Sequence, residues 1–120
     1  TIEVTAAKTI TLAESGSVFI LKAAVGVQIN LPSLTAGFNC RFITGLAFSA
    51  NNWTIVSTTN VIQGVANVDG DSLPAVNENT ISFSATAESL GDYVEIKCDG
   101  TNFYVSGSGM AAGSILFTAP

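Results

Sequence analysis

The chain contains no histidine, and only four basic and nine acidic residues among its 120. Charged side chains make up 11% of the sequence, against about 25% in ordinary globular domains. Each shortage excludes something. Without histidine the commonest general base is missing, and Ser–His or Cys–His nucleophilic pairs cannot be built. The net charge of −5, with Lys8, Lys22, Arg41 and Lys97 scattered along the chain, argues against nucleic acid, whose phosphates need clustered cations. Two cysteines are too few for a disulfide framework, and with no histidine and no Cys-x-x-Cys they do not suggest zinc. No apolar run reaches the 18 to 20 or so residues that span a bilayer, so no membrane partner is expected. Nor does the chain open with a basic stretch followed by an apolar one, as a signal peptide would. The small Thr1 fits a protein whose initiator Met has been removed.

What is abundant is small and polar: 13 Thr, 12 Ser and 9 Asn. A surface of uncharged groups suits a protein that is covered by copies of itself or by a larger assembly. A plain Ser/Thr-rich β-domain is the alternative. The length fits one domain over 1–120 that can fold without metal or disulfide staples.

No stretch reads as a sizeable helix, and Ala85–Leu90 is too short to be one. Elsewhere β-branched and aromatic residues alternate with polar ones, broken every eight to twelve residues by Gly, Asn or Pro. The expected strands are Ile2–Thr5, Thr9–Leu12, Val18–Lys22, Val27–Leu31, Asn39–Gly45, Leu46–Ser49, Trp53–Ser57, Val61–Gly64, Thr80–Ala85, Tyr93–Cys98, Phe103–Ser106 and Ser114–Thr118. Residues 1–7 are either an extended N-terminal arm or an edge strand. "VDGDSLPAVNEN" (68–79) reads as the longest loop, and "GSGMAAG" (107–113) as a flexible connection. The fold class is all-β: a single antiparallel β-sandwich or barrel, jelly-roll-like, of about ten short strands.

The stretch "YVEIKCDGTNFYVSGSG" (93–109) places a thiol, a lysine and two acids in one hairpin. Val94, Ile96 and Cys98 share one face, and Tyr93, Glu95 and Lys97 the other. Cys40 shares a face with Phe38 and Phe42, so both thiols read as small buried hydrophobes, more readily reduced than paired. Two-carboxylate chemistry would draw on Asp69, Asp71, Glu78, Glu88, Asp92, Glu95 or Asp99. Most of these stand beside Gly, Asn or Ser, where an acid braces a turn, so the chain is not expected to be an enzyme. "NVDGDS" (67–72) echoes a calcium loop but lacks its closing glutamate. "GSGMAAG" has neither the lysine nor the helix of a phosphate loop. Catalytic residues, metals and cofactors are therefore all expected to be none. Asn52-Trp53-Thr54 fits a glycosylation pattern, which matters only in a eukaryotic secretory setting. Trp53, Tyr93 and Tyr104 are candidates for a sugar-stacking platform, with core or interface packing the preferred reading, above all for Trp53.

The run from "VQINLPSLTAGFNCRFITG" through "NNWTIVS", "NVIQGV" and "ISFSATAESLGDYVEIKCDGTNFYVSG" resembles small virion proteins of tailed bacteriophages. The matching features are Leu31-Pro32, Gly37 to Phe42, Asn51-Asn52, Ile62 to Gly64, and the closing hairpin Gly91 to Val105. They cover about three quarters of the chain, and the same scheme occurs in head decoration (cement) proteins and in modules of tail fibres and spikes. The free-standing chain is more similar to the decoration proteins. That resemblance implies a homotrimer on local threefold axes of a phage head, bridging the major capsid protein. The protein would be made in the bacterial cytoplasm and reside on the capsid surface. Thr1, Ile2, Glu3, Val4 and Thr5 would contact the shell by adding a strand to an open sheet edge. The chain has less Pro and Gly near its N-terminus than decoration proteins with extended arms. The alternative is a receptor- or glycan-binding module of a tail fibre or spike, with Trp53 and Tyr104 as its contacts.

Overall fold

A computed structural model describes residues 1–119. The strands are β1 (Ile2–Val4), β2 (Lys8–Thr9), β3 (Ser17–Leu21), β4 (Gln28–Asn30), β5 (Asn39–Thr44), β6 (Trp53–Val56), β7 (Ile62–Val68), β8 (Asp71–Glu78), β9 (Thr80–Phe83), β10 (Tyr93–Cys98), β11 (Phe103–Gly109) and β12 (Ile115–Thr118). They form a seven-stranded sheet A, in the order β1-β3-β5-β10-β11-β7-β8, and a five-stranded sheet B, in the order β12-β9-β6-β4-β2.

The first six strands alternate between the two sheets, so this half of the chain winds as a coil. Strands β1, β3 and β5 lie parallel in sheet A, and β2, β4 and β6 lie parallel in sheet B. Each parallel pair needs a crossover, and here the crossover is a strand of the opposite sheet. The second half supplies the antiparallel pairs β5–β10, β10–β11, β7–β8, β6–β9 and β9–β12. Strand β7 is parallel to β11. The fold is therefore all-β, but its two sheets are mixed, which corrects the antiparallel expectation.

Strand formation follows the alternation in the sequence. In β5, Cys40, Phe42 and Thr44 are buried while Asn39, Arg41 and Ile43 alternate with them. In β10 the buried set is Val94, Ile96 and Cys98. Sheet B sends inward a row of Ile29, Ile55, Ile81 and Phe117, and a second row of Trp53, Phe83 and Ile115. These meet Phe19, Phe42 and Phe103 from sheet A in one buried cluster. Phe19 and Phe42 stack on neighbouring strands, with centroids 5.2 Å apart. Each such ring contributes about 1.5–3 kcal/mol through burial.

Several expected boundaries move. Thr9–Leu12 divides into β2 and a 3₁₀ turn, Leu12–Glu14, held where Glu14 accepts the Thr11 N–H at 2.9 Å. Leu46–Ser49 forms no strand. The expected loop 68–79 is a tight turn, with Asp69 at φ 51° and Gly70 at φ 79°, followed by the eight residues of β8. Three of the seven residues 107–113, Gly107 to Gly109, belong to β11 rather than to a flexible connection. Residues 2–4 form an edge strand paired with β3, not a detached arm.

Candidate interaction surfaces

The β10–β11 hairpin is organised by its turn. One Asp99 oxygen accepts the backbone N–H groups of Thr101 and Asn102 at 2.8 and 2.9 Å, and the other accepts the Tyr104 hydroxyl at 2.9 Å. Hydrogen bonds from Asn102 and Thr101, then that of Tyr104, hold the Asp99 carboxyl below its usual range. Gly100 takes φ 93°, which a side chain would resist. On the outward face Arg41 donates to Glu95 at 2.6 Å and its guanidinium stands 5.0 Å from the Tyr93 ring centroid. Lys97 lies 3.7 Å from the same carboxylate. Arg41 is the main cause lowering Glu95, and Glu95 in turn raises Arg41. An open depression of about 170 Å³ adjoins this group, between Gly16–Val18 and Asn39–Arg41. The charged groups here are paired with one another, Arg41 and Lys97 both to Glu95.

The thiols belong to the interior. Cys40 is buried, and burial pushes its thiol up to about 12, where no nucleophilic thiolate exists at neutral pH. Cys98 accepts the Gly100 N–H at 3.4 Å through sulfur. Both cysteines are free. They share the buried face of neighbouring strands but are out of register, since Cys40 stands opposite Ile96.

The aromatic platform does not assemble. Trp53 is 0% exposed and sits in the inward row of sheet B, its indole N–H without a partner. It is not available to stack on a sugar. Tyr104 lies on the outward face of sheet A, 45% exposed. Beside it, at the same strand level, is Gln63, whose amide bonds Asn77 at 2.7 Å and Asn102 at 3.3 Å.

The N-terminal residues form the margin of sheet A. Val4 is buried, Ile2 half-buried, and Glu3 exposed with its carboxylate 3.3 Å from Lys22. The Lys22 N–H donates to the Val4 carbonyl at 2.9 Å. In a parallel ladder alternate residues address a given neighbour, so Glu3 turns its N–H and C=O to the open edge. Thr1 and Thr5 flank this strand and are exposed.

Among the acids, Asp92 stands apart because it is buried. It lines an open pocket of about 270 Å³ together with Leu90 and Met110. Sequence reasoning grouped it with the turn-bracing acids. Its place two residues before the first core position of β10, just after Gly91, is the signal that could have marked it. Among the described residues no three His, Cys, Asp or Glu side chains gather as a metal site.

The outward face of sheet B was not anticipated from the sequence. Strand register aligns Leu116, Ser82, Thr54 and Gln28 in one row, and Thr118, Thr80, Val56, Asn30 and Thr9 in the next. Gln28 donates to Asn30 at 2.8 Å and Asn30 to Thr9 at 3.3 Å. Neither row contains a charged residue. Lys8 falls in the inward register, at the margin, and pairs with Glu14 at 2.8 Å.

Comparison with protein-family models, curated proteins and solved structures finds no match to this chain.

Proposed function

We propose that this protein is a structural virion component, a decoration protein that coats the outside of a tailed-phage head as a homotrimer and braces the major capsid protein. In this reading it catalyses nothing and holds no metal or cofactor. It is made in the bacterial cytoplasm and ends on the capsid surface.

The observation that carries the reading is the open edge of β1, where Glu3 presents an unpaired N–H and C=O beside a rigid two-sheet body. A strand of the shell protein can add there, and main-chain hydrogen bonds supply affinity without reactive groups. A trimer that engages three shell sites at once multiplies modest contacts into tight binding. Three of the five features that resemble virion proteins fall at a strand end, a turn and a hairpin, and the other two lie at the starts of β5 and β7. Leu31-Pro32 closes β4, Asn51-Asn52 turns into β6, and Gly91 to Val105 forms the β10–β11 hairpin.

The test is binding of the purified protein to expanded shells that lack it. Glu3→Pro removes the outward donor while leaving the β1–β3 ladder intact, because Pro is tolerated where the N–H faces solvent. Occupancy is expected to fall at least about tenfold with an unchanged circular dichroism spectrum. Full occupancy by the variant would remove β1 from the account, and failure of the wild-type protein to bind shells would overturn the reading. The second reading, a glycan-binding tail module, rests on the exposed Tyr104 beside the Gln63, Asn77 and Asn102 amides. Imaging the protein in the tail, together with a glycan-array signal, would decide for it.

A further inference from the structure

We infer that the open pocket beside Asp92 takes a lysine side chain of a partner protein, whose ammonium meets the Asp92 carboxylate while its aliphatic stem lies along Leu90 and Met110. The pocket serves any partner that presents such a lysine, so its test stands apart from that of the coat.

Among the described residues Asp92 is the only buried one with a charged side chain, 4% exposed. Buried charges are normally paired or coordinate a metal. Asp92 does neither. The chain has four basic side chains, and each is engaged elsewhere: Lys8 with Glu14, Lys22 with Glu3, and both Arg41 and Lys97 with Glu95. No metal cluster forms around it among the described residues. Its partners are two backbone donors, the Ser89 N–H on Oδ2 at 3.0 Å and the Met110 N–H on Oδ1 at 3.1 Å. A carboxylate offers about four lone-pair sites, so each oxygen can accept once more.

The surroundings select the ligand. Asp92 lines a pocket of about 270 Å³ with Leu90, Gly91, Tyr93, Ser108 and Met110. Sites for drug-sized molecules run to about 300–1,000 Å³, so this one suits a single side chain. The carboxylate and the net charge of −5 turn anions away. Lysine answers both remaining features, because its methylenes lie against apolar walls while its charge finds a partner. The arginine fork asks for two oxygens open side by side, and here an amide already occupies each oxygen. Leu90 and Met110 are 64% and 71% exposed. A free amine would leave both in water, whereas the polypeptide that carries a lysine covers them. That difference identifies a protein as the source of the ammonium.

The experiment is an NMR titration of the full chain at constant ionic strength, following the Ser89 and Met110 amides that bond the carboxylate. The probes are a blocked Ala-Lys-Ala tripeptide, the same peptide with norleucine in place of lysine, and n-butylammonium. The lysine peptide is expected to shift both amides and to saturate with a Kd of about 1 mM. The norleucine peptide keeps the stem without the charge, and n-butylammonium keeps the charge without the chain. Each should bind at least about tenfold more weakly. Asp92→Asn is expected to weaken the lysine peptide by about tenfold or more. Leu90→Ser changes an exposed position and leaves the bonds of the carboxylate in place, and it should weaken the same peptide several-fold. No saturation by the lysine peptide up to about 20 mM would overturn the assignment. So would equal binding of the norleucine peptide, or either variant binding as wild type does. n-Butylammonium that matches the lysine peptide would overturn the protein as the source.

Discussion

The Asp92 carboxylate reaches the backbone N–H of Met110, 3.1 Å from Oδ1, and so joins the loop before β10 to the loop after β11. Its other oxygen accepts the Ser89 N–H at 3.0 Å, and its carbonyl accepts the Thr44 N–H at 2.8 Å. One buried acid thus ties together three segments at one end of the molecule. Asp92→Ala strands two amide donors at a part-buried site beside the open pocket. The expected loss is about 2–4 kcal/mol, since each hydrogen bond to a charged group contributes about 1.5–3 kcal/mol and part is regained from water. Asp92→Asn, which keeps one acceptor oxygen, is expected to lose less. Urea denaturation measures both, and hydrogen exchange at Met110 should quicken in the alanine variant. A loss below about 0.5 kcal/mol, the range of an ordinary surface substitution, would remove the carboxylate from this role.

Stability is also expected to depend on acid. Glu95 is held below its ordinary 4.5, chiefly by Arg41, and Asp99 below its ordinary 3.8, chiefly by the Asn102 and Thr101 amides. Glu14 is lowered too, first by Lys8. A carboxyl whose folded value is depressed contributes stability in full above its unfolded value, and loses it as pH falls through the folded one. Stability should therefore hold from neutral pH to about pH 5 and then decline toward about pH 3. Thermal midpoints across this range test it, and Asp99→Asn should flatten part of the decline while lowering the midpoint at pH 7. These groups lie at the surface, so each effect is small and high salt should shrink the Glu95 share. A flat profile down to pH 3 would contradict the assignment.

Strand content was legible because alternation survives in most segments: Tyr93–Cys98 falls where the residues place it, with Cys98 inward. The direction of pairing was not legible. Period-two alternation is the same in parallel and antiparallel strands, and nothing local in Val18–Lys22 or Asn39–Gly45 announces that β3 and β5 run the same way. Residues 68–79 misled because Asp, Gly, Pro and Asn cluster there. Asp69-Gly70 makes only a two-residue turn, and Pro74 is tolerated because β8 is an edge. The preferred core placement of Trp53 follows from its alternation with Ile55, as the structure has it. The charge-free face of sheet B draws on five strands that are far apart in the chain. It becomes visible only once register aligns Thr9, Asn30, Val56, Thr80 and Thr118.

Gly64 offers the sharpest packing test. It sits opposite Val105 in the parallel β7–β11 pair, beside the bulge that separates Ile62 from Gly64 in the β7–β8 register. Its φ is 140°, and a Cβ built there would collide with the Val105 carbonyl oxygen. Two costs therefore combine in Gly64→Ala: a backbone conformation that side chains avoid, and a clash with a backbone atom that cannot swing aside. Gly100→Ala separates them. Its φ of 93° is also unfavourable, but the nearest atom to its Cβ would be the Ala36 nitrogen at 3.5 Å, an ordinary contact. Gly100→Ala is expected to cost about 1–2 kcal/mol from conformation alone. Gly64→Ala should cost at least about 3 kcal/mol, as β7 is pushed off β11 and the ladder opens at Val105. Chemical denaturation of the two variants, with hydrogen exchange at the β7 and β11 amides, measures the difference. Equal losses would mean that conformation alone sets the requirement for glycine at position 64, and that β7 has room to yield.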